Sequence, residues 1–353
     1  MNAELGEAFA IQSRICNGIG SPLYGELLRR CASELSAEDR NSPLWRLLDD
    51  WTGDVARDFV PLRVLGGVHA LVLAGRAPDL ARHYPSAGGE ASFPGCWNDF
   101  RAVVAEHGSE LQRWLSFVPQ TNEVQRSASL LGGFLEIGAR FGLPLRLREL
   151  GASAGLNLFW SEYRYELGVH RWGAAGAPLA LRTDWQGEPP RLDAPVVIES
   201  RAGCDRRPID VTDPDALLRL RSYFWPDQVD RLTRLSRATE LLKQDPPRLD
   251  QASAIEWLAS ELEVNQPSGV CLVVYHSSFW SYLSDLDQQA IRKSLERAGA
   301  AASPERPLAW LRAEDEPPAL ALRVRCWPSG RETRLASLHP HGSWIHWSPS
   351  EDG

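Results

Sequence analysis

The sequence has little lysine and no excess of positive charge. Only Lys243 and Lys293 are lysines among its 38 lysine and arginine residues, and the formal net charge is −8. Nucleic-acid binding needs a basic surface that neutralises phosphates, so this charge disfavours a general nucleic-acid-binding protein. A small molecule is the partner that we expect.

Closely spaced cysteines are also lacking. No pair has the Cys-x-x-Cys spacing of zinc sites and redox motifs, so the sequence predicts neither a metal site nor a disulfide framework. We expect the cysteines to be small buried side chains. They are Cys16, Cys31, Cys96, Cys204, Cys271 and Cys326.

Long apolar runs are the third absence. No window approaches the roughly 18 apolar residues of a membrane helix, and the N-terminus lacks the basic and apolar regions of a signal peptide. We therefore expect a cytoplasmic protein without a membrane partner. The 353 residues, 43% hydrophobic and 24% charged, fit one large or two medium domains.

The first third of the chain has helical periodicity. The stretch 82–96 is rich in turn formers and aromatic residues, which suits either a loop over a pocket or a plain connector. We predict a helical cap domain over residues 1–118. Its apolar-periodic segments, broken by glycine, proline or serine, are residues 7–16, 21–34, 43–50, 54–73 and 97–114.

Residues 146–157, Arg-Leu-Arg-Glu-Leu-Gly-Ala-Ser-Ala-Gly-Leu-Asn, are the most informative stretch. The pattern predicts a strand, a tight loop in which the backbone lies close to a ligand, and a helix from about Leu156. The dinucleotide fingerprint needs glycine at its first, third and sixth positions. Here Gly151 is followed by Ser153 and Leu156 at the third and sixth positions, so the loop does not suit a pyrophosphate.

With Glu149 two residues before the first glycine, the spacing resembles motif I of class I S-adenosylmethionine-dependent methyltransferases. In that family the loop passes under the aminoacyl part of the cofactor, and the acidic residue contributes to the pocket. The resemblance implies S-adenosylmethionine as the cofactor, with Glu149, Gly151, Ser153 and Gly155 lining its site. An ordinary strand-to-helix turn is the alternative.

After a predicted helix over 127–141, strands alternate with helices. This order predicts an α/β fold: a Rossmann-like methyltransferase sheet of about seven strands with an antiparallel edge. The sheet domain covers residues 119–353, with a small insertion at about 161–190. Predicted strands follow the glycine loop at 163–168, 179–185, 195–205, 269–275, 307–314, 319–326 and 332–338, with a short one beginning at 248.

Polar residues near these strand ends are candidates for cofactor binding. Asp205 or Asp210 is placed to accept the ribose hydroxyls, and Asp250 fits the adenine edge. Arg126 is a candidate partner for the carboxylate of the cofactor, and Asn157 for a further contact. Capping and ion pairing within the protein are the alternatives.

His276 follows a buried strand at the edge where open α/β sheets bind ligands. It is a candidate general base, with Tyr282 and Glu314 as further catalytic candidates that orient it or the substrate. Alternatively, it caps the next helix or bonds backbone carbonyls. The candidate substrate contacts are Asn122, Glu123, Ser277 and Trp280.

Two further patterns have other interpretations. His339, His341 and His346 lie close together, but no acid or cysteine completes a metal site, so we expect at most the rim of a pocket. Gly-x-Ser-x-Gly at 151–155 matches the spacing of a nucleophile elbow, in which Ser153 acts with a later acid and histidine. An elbow usually follows several strands, whereas the preceding chain here is helical.

Over most of its length the chain also resembles the bacterial family of domain of unknown function 2332. That resemblance supports the fold and implies little chemistry, so methylation of an unidentified small molecule is the first hypothesis. A non-catalytic nucleoside-binding or regulatory protein is the second, and a serine hydrolase the third. The motifs that carry the resemblance lie at 121–126, 149–157, 203–210, 225–228, 276–277 and 310–314, with Gln125 where the family often has a small residue.

Overall fold

The computed structural model describes residues 2–37, 39–264 and 266–351. They form two compact units. The helical unit comprises Met1–Thr121 and Thr212–Leu235, and the sheet unit comprises Asn122–Val211 and Ser236–Gly353. Nothing in the sequence pattern separates Thr212–Leu235 from the residues around it, so only the fold assigns this segment to the helical unit.

A helix forms in each segment predicted in the first third of the chain, but the bounds of three segments differ clearly. The helix predicted over 7–16 begins earlier, at Asn2. The predicted helix 97–114 is two helices that meet at Gly108. The predicted helix 54–73 begins only at Val60, because Phe59 has a left-handed backbone (φ 55°) that cannot continue a helix. The helices are α1 Asn2–Gly18, α2 Pro22–Ser36, α3 Pro43–Leu48, α4 Val60–Leu73, α5 Pro78–Ala81, α6 Cys96–Glu106, α7 Gly108–Leu115, α8 Arg126–Phe141, α9 Pro214–Ser222, α10 Val229–Gln244, α11 Ala254–Glu263 and α12 Asp285–Ala300.

The helical unit has its own apolar core. Phe9, Leu28 and Val64 are fully or almost fully buried in it. His69 is buried as well, with Nδ1 3.0 Å from the carbonyl oxygen of Ser222 and Nε2 2.8 Å from Ser86 Oγ. Among the described residues, no helix of either unit combines the length and apolar character needed to cross a bilayer.

Over the residues that the structure describes, the sheet has 11 strands, so the predicted number of about seven is wrong. The strands of the predicted insertion belong to the same sheet, because β4 pairs with the last strand, β11. The strands are β1 Leu145–Leu150, β2 Arg164–Leu167, β3 His170–Trp172, β4 Ala180–Gln186, β5 Ile198–Asp205, β6 Arg248–Gln251, β7 Cys271–Ser277, β8 Leu308–Glu316, β9 Ala319–Trp327, β10 Arg331–Leu338 and β11 Trp344–Glu351.

The strand order is β3-β2-β4-β11-β10-β9-β8-β7-β1-β5-β6. The five strands from β6 to β8 are parallel, and β8 to β11 form an antiparallel meander. The chain order reverses at β1, which has β5 on one side and β7 on the other. The carboxyl ends of β6, β5, β1, β7, β8 and β10 therefore share one edge of the sheet, called the carboxyl edge below.

Helices cover both faces of the parallel strands. On one face, α8 packs closely, and the ring of its Phe134 lies 5.1 Å from that of Tyr275. On the other face, Trp257 of α11 and Ile291 of α12 belong to one buried apolar cluster with Val274. Because alternate residues of a strand point to opposite faces, Tyr275 faces α8 whereas His276 faces α12.

Gly132 of α8 sets how closely this helix approaches the sheet. A Cβ here would overlap the ring of Trp347, which cannot bend away as a flexible side chain can. We expect Gly132→Ala to lower the free energy of unfolding by about 1 to 2 kcal/mol, although alanine is the better helix former. Urea denaturation measures this change.

The matched control is Gly108→Ala at the start of α7, where a Cβ meets nothing within 4 Å. This variant should be as stable as the wild type or up to about 1 kcal/mol more stable. Equal effects of the two substitutions would contradict the close packing of α8.

Candidate cofactor site

The glycine loop that follows β1 has an unusual backbone. Gly151, Ser153 and Gly155 all have left-handed conformations, with φ of 70°, 54° and 79°. Such angles suit glycine, whereas they strain Ser153 by about 1 kcal/mol or more. A Cβ on Gly151 would also collide with the ring of Phe279, so only glycine fits there.

Side chains of neighbouring elements hold this loop through its backbone. Asp205, the last residue of β5, accepts hydrogen bonds from the backbone N–H groups of Ser153 (3.0 Å) and Arg207 (2.8 Å). Asn122 Oδ1 accepts one from the N–H of Leu156 at 2.9 Å. Two N–H groups of the loop and the following segment are thus occupied by the protein itself.

The helix predicted from about Leu156 is instead a short 3-10 segment, Leu156–Glu162. Tyrosine hydroxyls bond its carbonyl oxygens. Tyr163 donates to Leu156 at 2.7 Å and Tyr165 to Trp160 at 2.6 Å, while Tyr275 lies 3.3 Å from the carbonyl oxygen of Asn157. The segment is therefore held by side chains of β2 and β7 and their flanks, and it offers no long helix dipole to an anion.

Glu149 is buried at the end of β1, where it pairs in register with Tyr275 of β7. The hydroxyl of Tyr275 lies 3.2 Å from its Oε2. Burial raises the pKa of Glu149 from 4.5 to about 8; the Tyr275 hydrogen bond and Arg126 oppose this shift, and the charge of Asp205 adds to it. At neutral pH, Glu149 is thus mostly an uncharged carboxylic acid.

The three acids that the sequence selects end adjacent strands: Glu149 in β1, Asp205 in β5 and Asp250 in β6. Asp250 lies 2.6 Å from Trp257 Nε1 and 2.6 Å from a guanidinium nitrogen of Arg248. Burial raises the pKa of Asp250, but these two partners outweigh it and hold the pKa below its usual value. Asp210, the alternative to Asp205, lies exposed beyond the end of β5.

The polar candidates next to α8 bond other parts of the protein. Glu123 Oε1 accepts from the N–H of Gln125 at 3.1 Å, and Asn157 Oδ1 accepts from Ser127 Oγ at 2.7 Å. Arg126 Nε donates to the carbonyl oxygen of Pro340 at 3.3 Å. Their contacts with a cofactor or substrate stay predictions.

His276 lies on the α12 face and is fully buried. Its Nδ1 lies 2.6 Å from Glu314 Oε1, and its Nε2 accepts a hydrogen bond from Trp310 Nε1 at 3.1 Å. The carboxylate of Glu314 also accepts from the N–H groups of Phe279 and Trp280. Neither ring contact is the helix cap or the carbonyl bond of the structural alternative; instead, Glu314 links His276 to the loop after β7. A catalytic role of His276 stays a prediction.

The other candidates after β7 are arranged around this pair. The ring of Trp280 stacks on that of His276 with centroids 4.8 Å apart, and the guanidinium of Arg292 lies 5.3 Å from the Trp280 ring. Ser277 is partly buried, and Tyr282 is 61% exposed at the end of a 3-10 turn. Contact of these side chains with substrate stays a prediction.

The hydrolase alternative needs a general base in contact with Ser153. Ser153 Oγ is buried without a hydrogen-bond partner among the residues that the structure describes. Both ring nitrogens of His276 bond Glu314 and Trp310 instead. No contact among the described residues therefore supports Ser153 as a nucleophile, and the hydrolase hypothesis stays a prediction.

The histidines near the C-terminus belong to different elements. His339 and His341 lie in the turn after β10, with ring centroids 5.8 Å apart, whereas His346 is exposed in β11. Gln125 fixes this turn with hydrogen bonds from Nε2 to the carbonyl oxygens of Gly342 and Arg182. In the described ranges, no three histidine, cysteine or acidic side chains are grouped as metal ligands.

Sequence reasoning missed four aromatic residues of this site: Tyr163, Tyr165, Tyr275 and Phe279. Tyr275 was detectable in principle, because a tyrosine in an otherwise apolar buried strand needs a hydrogen-bond partner. The other three gave no signal, since their contacts depend on how distant segments pack.

A family model matches residues 6–347, and its description is "Uncharacterized protein conserved in bacteria (DUF2332)". The match spans nearly the whole chain, so the protein belongs to this family. Comparisons with curated proteins and with solved structures gave no match.

Glu314→Ala tests the positioning role of the pair. The substitution leaves His276 Nδ1 and the N–H groups of Phe279 and Trp280 without their acceptor. We expect the free energy of unfolding to fall by at least about 2 kcal/mol. Asp315→Ala, at the next and exposed position, should change it by less than about 0.5 kcal/mol in the same denaturation experiment; equal losses would contradict this role.

Glu149→Gln tests the buried acid. The unfolded chain loses this proton near pH 4.5, whereas the folded protein keeps it to about pH 8. The stabilisation from Glu149 is complete below the lower value and is lost as the pH rises through the upper one, by at most about 1.4 kcal/mol per pH unit. The variant, measured by denaturation across this range, should lack that decline; parallel stability curves would contradict the shifted pKa.

Proposed function

We propose that the sheet unit binds S-adenosylmethionine at the carboxyl edge beside β1, and that the protein transfers the methyl group to a small molecule. The order β6-β5-β1-β7-β8 of the parallel strands supports a Rossmann-like sheet. In open α/β sheets, ligands bind outside the carboxyl ends of the strands where the order reverses. The glycine loop follows β1, at that reversal.

The observation that carries the proposal is the chemical character of this edge. It presents Glu149, Asp205 and Asp250, while Asp205 and Asn122 occupy the N–H groups of Ser153 and Leu156. A pyrophosphate needs free backbone N–H groups and a helix N-terminus. Acids instead favour ligands with hydroxyl, amino and cationic groups. S-adenosylmethionine has all three and contains no phosphate.

In this proposal, different residues bind different parts of the cofactor. Asp205 accepts hydrogen bonds from the ribose hydroxyls, because a carboxylate can accept more bonds than the two that the backbone donates to it. Asp250 accepts a hydrogen bond from the adenine amino group. Glu149 binds the aminoacyl part of the cofactor, and the glycine loop lets the backbone lie close to that part. Bound S-adenosylmethionine supplies an electrophilic methyl group on a sulfonium.

Alignment of the acceptor with that methyl group supplies most of the rate in this mechanism, because proximity and orientation alone contribute several kcal/mol to such transfers. His276 need not act as a base. The loop that it holds after β7 places Phe279 directly against Gly151, so this loop borders the site. The acceptor is a small molecule whose identity the site does not specify.

Calorimetric titration with S-adenosylmethionine and S-adenosylhomocysteine tests the cofactor site. We expect saturable micromolar binding to the wild type and at least about tenfold weaker binding to Gly151→Ala, whose Cβ displaces Phe279. Gly142→Ala is the matched control: Gly142 also has positive φ (62°), but a Cβ there meets nothing within 4 Å. It carries the same backbone strain away from the site.

Equal weakening by the two variants would attribute the effect to backbone strain and contradict the loop's role. The wild type binding neither compound would remove the cofactor proposal. Binding of both compounds without methylation of any metabolite would favour the nucleoside-binding or regulatory hypothesis.

A further inference from the structure

Three buried or partly buried carboxyl groups of the sheet unit have different partners. Glu261 pairs with the guanidinium groups of Arg148 and Arg248. Glu314 faces His276 and accepts from two backbone N–H groups. Glu149 is only 2% exposed, and its hydrogen-bond partner is the neutral phenol of Tyr275.

Within the described part of the chain, the groups around Glu149 supply no compensating positive charge at ion-pair distance, and Arg126 acts only at longer range. Tyr275 of β7 and Tyr163 before β2 are phenols whose own pKa values burial raises far above neutrality. From β5, Cys204 is a thiol with its pKa raised to about 12, mainly by burial, and Asp205 contributes negative charge. Arg126 of α8 is the opposing cation, and its effect on the pKa of Glu149 is the smallest of the four causes.

We propose that Glu149 gives up its proton when the site binds a ligand, and that the site therefore selects a ligand with a cationic group next to this carboxyl. This inference rests on the proposed function, in which that group is the ammonium of the cofactor's aminoacyl part. The O–H bond of the carboxyl breaks, the proton passes to the buffer, and the carboxylate pairs with the ammonium. A buried carboxylate is costly alone and tolerable when paired.

This pairing makes the affinity for the ligand depend on pH. Below about pH 7 the free site holds the Glu149 proton and the ligand's amino group is already charged, so each unit rise in pH favours binding by up to about tenfold. The dependence should level off above about pH 8, where Glu149 is ionised before binding. A ligand without the ammonium should show neither effect.

Three ligands separate the possible sources of the charge. S-adenosylmethionine carries an ammonium and a sulfonium, S-adenosylhomocysteine only the ammonium, and 5′-methylthioadenosine neither. Calorimetry at about pH 7 in buffers of different ionisation enthalpy counts the protons released on binding. We expect release of most of one proton with the first two ligands and none with 5′-methylthioadenosine.

Glu149→Gln keeps the shape of the side chain and removes its proton. In this variant, S-adenosylhomocysteine should bind without proton release and at least about tenfold more weakly, while the affinity for 5′-methylthioadenosine changes little. Asp315→Asn, an exposed acid at the same edge, should release protons as the wild type does. The pH dependence of the wild type gives the same test without relying on the folding of any variant.

S-adenosylhomocysteine that binds the wild type with pH-independent affinity and no proton release overturns this inference and leaves the cofactor site standing. Release that persists in Glu149→Gln, or that equals the release with 5′-methylthioadenosine, overturns it too. If none of the three ligands binds between about pH 6 and 9, the proposed function fails and this inference fails with it.

Discussion

Hydrogen bonds from side chains to the backbone of residues 151–162 are the interaction on which the rest of the site depends. Asn122 and Asp205 accept from N–H groups, and Tyr163, Tyr165 and Tyr275 donate to carbonyl oxygens. The partners come from the start of the sheet unit and from three strands or their flanks, so the strained loop is held from several directions. Because these bonds use N–H groups that a phosphate would need, they support the proposal of a ligand without phosphates.

The carboxyl edge has acids in two protonation states, because Asp250 and Glu149 have different surroundings. Asp250 has a guanidinium and an indole N–H as partners and stays ionised, whereas Glu149 lies between buried strands and holds its proton. The ends of β6 and β1, which lie on either side of β5, thus offer a charged acceptor and a neutral acid. This difference is set by burial and partners and not by residue type.

The two-residue period of a strand separates two polar systems that are neighbours in the chain. Tyr275 points toward α8 and bonds Glu149, whereas His276 points toward α12 and bonds Glu314. The first system lies beneath the glycine loop, and the second fixes the loop after β7. Phe279, which that second loop carries, lies against Gly151 and is where the two systems meet.

By itself, the sequence determined the features that local physics controls: apolar periodicity placed most helices and strands, and small residues placed the loop after β1. It also located Glu149, Asp205 and Asp250 at strand ends, because a strand's end follows from its own apolar run. Only the tertiary structure decided the pairing of β4 with β11 that extends the sheet, the inclusion of Thr212–Leu235 in the helical unit and the tyrosine contacts. These depend on packing between residues far apart in the chain, for which no local pattern carries a signal.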